Sequence, residues 1–145
     1  MVNIYRDEII LKILRYCPKC QSFQQAFKKF DIWKLPECLV IHFKRFQYDK
    51  NSRDKLDTFI DYPIKEVDLQ NFTMLNSPSR SNAKYSLFAV SIHSGGLGAG
   101  HYTAYAQNHS DNQWYLFNDS TVSKIESIKP TKGAYLLLYK KIDSV

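Results

Sequence analysis

Long apolar runs are missing from this chain. Nothing in its 145 residues approaches the roughly 18 uninterrupted apolar residues that a membrane-spanning helix needs, so no membrane partner is expected. The N-terminal stretch from Met1 to Leu14 carries Ile9, Ile10, Leu11, Ile13 and Leu14. Arg6, Asp7, Glu8 and Lys12 interrupt it, and no small-residue cleavage site follows, so it does not read as a signal peptide. Glycine and proline are scarce, five of each, which argues against disorder. Cysteine is limited to Cys17, Cys20 and Cys38. Two of the three form a C-x-x-C pair, which suits a metal site in a reducing compartment better than a disulfide framework, and cytoplasm or nucleus is expected. Signals for long helices are thin: helix is expected mainly near the N-terminus, with a short helix starting near Asp68. Internal repeats and low-complexity tracts are absent from the sequence.

Aromatic residues are what the chain has in quantity. Ten Tyr and nine Phe bring the aromatic fraction to 14%, within 44% hydrophobic residues. That suits a half-buried pleated surface and a core of ordinary domain size. The formal net charge is +6, which raises nucleic acid as a partner. The cations are dispersed, however, as Lys28-Lys29, Lys44-Arg45, Lys140-Lys141 and singles, and Asp54 to Asp68 is locally acidic. Dispersed charge reads as a solvated surface, so nucleic acid is not the expected partner.

Alternation dominates the rest. Leu39, Ile41 and Phe43 share one face of a run whose other face carries Val40, His42 and Lys44, a strand period. Similar runs cover residues 84–92, 101–106, 113–117 and 134–139, and Pro36, Pro63, Pro78 and Pro130 fall between runs. The expected architecture is α+β and β-rich, with one antiparallel sheet of about five strands. Ser94 to Gly100 reads as a glycine-rich flexible loop that ends on His101.

Tyr16-Cys17-Pro18-Lys19-Cys20 is a tight turn that aims two thiolates at one point, half of a structural zinc site. Cys38 and His42 are the tempting other half, but on a strand they stand about 13 Å apart, too far to share an ion. Cys38 is therefore expected to be a buried small residue and His42 a structural strand histidine. The complementary ligands are expected elsewhere, on another segment or another chain.

His101 begins a strand beside a loop, and Asn118 ends the next. Pairing through a turn centred between residues 109 and 110 brings the two near register, with His109 at the exposed tip. Asn118 can then accept a hydrogen bond from His101 Nδ1, which fixes the tautomer of a general base and leaves Nε2 for a nucleophile. Asp119 competes for this place. Strand alternation turns it away unless a bulge intervenes.

Taken together, these segments resemble the ubiquitin-specific protease family of papain-like cysteine deubiquitinases. Cys17 to Cys20 resembles the second C-x-x-C of the family's fingers ribbon. Asp31 to Pro36 and Leu39 to Phe46 resemble its palm strand, and Lys55-Leu56-Asp57 with Phe59 to Pro63 the stretch that follows. Tyr85 to Ala106 resembles the histidine box, and Trp114 to Ser120 the box with the third catalytic residue. The resemblance implies one partial catalytic domain over residues 1–145: a poorly matching segment at 1–15, the fingers C-x-x-C and following strand at 16–35, and the palm with the histidine box at 36–145. It further implies that His101 is the base, Asn118 orients it with Asp119 in support, and Ser91 to Gly100 borders a channel for ubiquitin's Gly-Gly tail. Phe46, Gly100 and Tyr102 are implied to line that channel. Nothing in the chain resembles the family's nucleophilic cysteine box. The expected function is thiol-dependent deubiquitination acting on ubiquitin or ubiquitinated proteins, with this chain inactive by itself. The competing expectations are a non-catalytic ubiquitin-binding module and a zinc-dependent nucleic-acid binder.

Overall fold

The computed structural model describes residues 11–28, 30–48, 53–96 and 98–142. Strands β1 (Leu11–Cys17) and β2 (Ser22–Lys28) form a hairpin whose turn holds the C-x-x-C, with Gln21 at φ 53° closing it. A second small ribbon pairs β4 (Phe46–Tyr48) with β5 (Arg53–Lys55).

The main sheet is antiparallel throughout. Its strands are β3 (Cys38–His42), β7 (Lys84–Gly95), β8 (Gly100–Gln107), β9 (Trp114–Asn118), β10 (Thr121–Ile125) and β11 (Ala134–Lys141), in the order β10-β9-β8-β7-β11-β3. A two-residue strand, β6 (Val67–Asp68), pairs with the start of β7. The expected short helix near Asp68 is a single 3-10 turn, Gln70–Phe72. Helix was expected near the N-terminus; residues 1–10 lie outside the described residues, and Leu11 to Cys17 is strand.

One face of the sheet carries the core. Tyr85, Leu87, Val90, Ala134, Leu137 and Tyr139 are buried there, and Leu39, Ile41, Ile92 and Tyr105 pack against them. Two of the core's buried phenols are satisfied: Tyr85 donates to the Pro36 carbonyl, and Tyr139 to that of Pro63 at 2.7 Å. A buried cation ties the ribbon region to the sheet. Arg45 is 3% exposed and donates to the carbonyls of Ala134, Leu56 and Thr58 at 2.6, 2.8 and 2.9 Å.

Two register shifts between β7 and β11 break the simple alternation expected for residues 84–92. Tyr139 pairs with Leu87 but Leu138 with Ala89, leaving Phe88 as the extra residue. Ala134 pairs with Ile92 but Leu136 with Ser91, leaving Tyr135. The second bulge matters for the site, because Tyr135 meets the exposed His42 ring edge-on at 4.7 Å and the Phe46 ring at 5.4 Å. A row of rings thus forms on the sheet face opposite the core.

Cys38 corrects the sequence expectation. It is exposed, because it shares the outer face of β3 with Val40 and His42, while Leu39 and Ile41 take the core side. The loop between β7 and β8 is also shorter than expected. Gly95 pairs with Gly100, so only residues 96–99 connect the strands, and Gly95 supports the bend with φ 84°.

Candidate functional site

His101 stands second in β8, opposite Ser94 of β7. Ala104 pairs with Phe117, so Asn118 lies opposite Thr103 and leaves the sheet on the same side as His101. The turn is centred between residues 110 and 111 rather than 109 and 110, since Gln107 pairs with Trp114. A shift of two in the partner preserves the face, which is why the expected pair still meets, on a diagonal. The Asn118 amide oxygen is 2.6 Å from His101 Nε2. The ring nitrogen is therefore Nε2, not the expected Nδ1. With Nε2–H donating to Oδ1, Nδ1 keeps its lone pair and remains available to a reactant.

Asp119 also approaches the ring. It is the first residue of the two-residue turn that joins β9 to β10, at φ 49°, a left-handed conformation that Asp tolerates. Strand alternation therefore does not govern its direction. Its carboxylate is 3.9 Å from His101 Nε2, with side chains 49% and 80% exposed for His101 and Asp119. At that range the amide holds the ring and the carboxylate contributes a solvent-screened field.

The structure brings Phe46, Gly100 and Tyr102 together. They line one cavity of about 300 Å³ with His93 and the loop residues Gly96, Gly98 and Ala99. His93 is the member the sequence reading missed. It is 4% exposed, lies 5.2 Å from the Phe46 ring and 4.7 Å from the Tyr102 ring, and its Nδ1 has no hydrogen-bond partner. A Cβ on Gly100 would come within 2.1 Å of His93 Nε2, so a side chain there would have to displace the His93 ring. Burial pushes the His93 pKa down, and the nearby Lys55 ammonium pushes it the same way. The available signal was His93's place eight residues before His101, but the bulge at Phe88 hid which face it takes.

The cysteines stand apart from this site. Cys38 pairs with Lys140, which pairs with Ser86; His101 pairs with Ser94. Eight residues of β7 separate the two positions, about 25 Å along the strand before any lateral offset. Cys17 ends β1 and Cys20 lies in the turn that follows, where the Cys20 backbone N–H and side chain and the Lys19 backbone N–H hold the Cys17 thiol pKa low. A turn that favours thiolate and presents two sulfurs fits half a zinc site, and no group of three or more His, Cys, Asp or Glu among the described residues could complete one.

Comparison with known proteins places the chain in a family. The profile of the family described as ubiquitin carboxyl-terminal hydrolase matches residues 7–139. Ubiquitin carboxyl-terminal hydrolase 15 of Homo sapiens is 49% identical over 130 residues, and ubiquitin carboxyl-terminal hydrolase 9 of Arabidopsis thaliana 45% identical over 130 residues. Each match covers 89% of this chain, but only 13% and 14% of the relatives. Among solved structures, the SAGA Ubp8/Sgf11/Sus1/Sgf73 DUB module bound to ubiquitin aldehyde matches at TM-score 0.74 and 34% identity, covering 90% of this chain and 30% of that one. A form of the module bound to monoubiquitin matches at TM-score 0.75 and 36% identity, covering 92% of this chain and 29% of that one.

Proposed function

The chain belongs to the ubiquitin carboxyl-terminal hydrolase family, and from that premise we propose that it contributes the base half of a thiol-dependent deubiquitinase site. The substrate is ubiquitin joined through its C-terminal glycine to an amine. The observation that carries this reading is the 2.6 Å contact between His101 Nε2 and the Asn118 amide oxygen. With that bond in place, Nδ1 takes the proton of a cysteine thiol, and the thiolate attacks the glycine carbonyl carbon. The resulting imidazolium, held by Asn118 and favoured by the Asp119 carboxylate, returns the proton to the departing amine as the C–N bond breaks. Water then attacks the thioester, gives its proton to Nδ1, and displaces the sulfur.

The thiol comes from outside these 145 residues. Cys38 lies at the far end of the sheet, and Cys17 and Cys20 occupy a metal-type turn. By itself the chain therefore acts as a ubiquitin-binding piece without turnover. Zinc, where bound, is held by Cys17 and Cys20 together with two ligands from elsewhere, and its contribution is structural. The three free thiols suit cytoplasm or nucleus.

A titration of the isotope-labelled chain with ubiquitin tests the reading. Amide and ring signals of Phe46, Gly100 and Tyr102 should move with intact ubiquitin and stay unmoved with ubiquitin lacking its last two glycines. Equal responses to both forms, or none at millimolar ubiquitin, would contradict a tail channel at this cavity.

A further inference from the structure

The His101 end of the sheet is thinly supported. The β8–β9 ladder begins only at Ala104, so Gly100 to Thr103 have β7 as their strand neighbour. On the other side of β7, the ladder to β11 ends at Ile92, followed by one bond from His93 N–H to the Gly133 carbonyl at 2.8 Å. Residues 93–95 and 100–102 thus form a two-stranded ribbon that extends past both neighbours, and a ribbon of that kind is marginal in water.

A lysine stands where β11 has stopped. Lys55, the last residue of β5, donates from Nζ to the carbonyls of His93 and Gly95, both at 3.0 Å. Carbonyls two residues apart in a strand point to one edge, and here that is the edge from which His93 N–H reaches Gly133. Asp57 Oδ1, at 3.4 Å, faces the ammonium as well, and the Lys55 side chain is only 9% exposed. An ammonium has three donors and no acceptor, and these three partners use them all. An exposed lysine pair would carry little weight; an enclosed ammonium on two carbonyls makes charge-assisted bonds that cost much more to lose.

We infer that Lys55 is a positioning residue for His101: its ammonium replaces the missing strand neighbour, fixes the β7 edge at His93 and Gly95, and through the Ser94–His101 pair sets where the ring stands. The bearing on catalysis rests on His101 being the base. The anchoring does not, and it is what the experiment reads.

Amide hydrogen exchange and the His101 ring nitrogen signals are to be followed by NMR in the unmodified chain, Lys55→Met and Lys55→Arg. In Lys55→Met, exchange at Ser94 and at residues 100–102 should rise about tenfold or more, as loss of a charge-assisted bond implies. The amides of Val90 and Leu137 should keep their protection, and His101 Nε2 should lose its hydrogen-bonded shift. Lys55→Arg, which keeps charge and two donors, should restore most of both. Unchanged ring signals in Lys55→Met, or a uniform rise across the sheet, would overturn the inference. If Lys55→Met does not fold, the unmodified chain decides: the Lys55 ammonium protons should exchange slowly and show contacts to Gly95, and exchange as fast as that of surface lysines overturns the inference. A Lys55 result that holds while the ubiquitin titration fails refutes the functional reading alone; the converse refutes only the anchor.

Discussion

At the residue scale, the Asn118–His101 contact sets the first expectation. In the catalytically complete protein, Asn118→Ala should lower kcat at least about tenfold, within the ~10⁴-fold that loss of tautomer control costs in a serine triad. Asp119→Ala should cost less, because its carboxylate is 3.9 Å away and largely solvated. A steady-state comparison of the two variants checks the order; a larger loss in Asp119→Ala would exchange their roles. His93 sets a second expectation, on stability against pH. Its folded-state pKa is lowered by burial and Lys55, so the unfolded chain takes up its proton first. The stability contributed by its neutral form is complete above about 6.5, the unfolded value, and is lost as pH falls through that value toward the lower folded one. The urea midpoint should therefore fall between about pH 7.5 and 5.5, and His93→Gln should flatten the fall. A parallel pair of profiles would remove His93 from the account. The pairing of His101 with Asn118 was legible because a histidine began one run and an amide ended the next. The choice of ring nitrogen was not, since it depends on a diagonal rather than a direct cross-strand pair.

At the element scale, strands that lay apolar residues against the core announced themselves, as β3 did with Leu39 and Ile41. Strand β10 went unread because four of its five residues are exposed, so no apolar period marks it. The bulges at Phe88 and Tyr135 were equally silent, because each adds one residue without a glycine to signal it. Gly100, by contrast, has a checkable reason to be glycine. Gly100→Ala should destabilise the chain by about 1–3 kcal/mol in chemical denaturation, as the new methyl meets the His93 ring. An unchanged midpoint would mean that the ring swings away at no cost. The β1–β2 hairpin offers another test. With two thiolates per chain, cobalt(II) should reach tetrahedral thiolate absorbance at half an equivalent, by bridging two chains, and lose it on dilution. One tightly held ion per chain would require ligands other than Cys17 and Cys20.

At the scale of the whole molecule, the sheet separates functions by its two ends and two faces. The core lies on one face and the row of rings formed by His42, Tyr135, Phe46, His93 and Tyr102 on the other, with His101 and the cavity at one end and Cys38 at the opposite end. Cavity and His101 adjoin because β7 and β8 pair as far as Gly95 and Gly100, delivering Tyr102 and His101 to opposite sides of one strand. On the proposed reading, this chain holds a base and its orienting amide but no thiol within reach of them. Hydrolysis of a ubiquitin C-terminal fluorogenic amide by the 145-residue chain alone, with His101→Ala alongside, tests it most directly. Neither protein should release fluorophore above buffer. Turnover by the unmodified chain that disappears in His101→Ala would contradict it, and would place one of the chain's own three thiols beside His101.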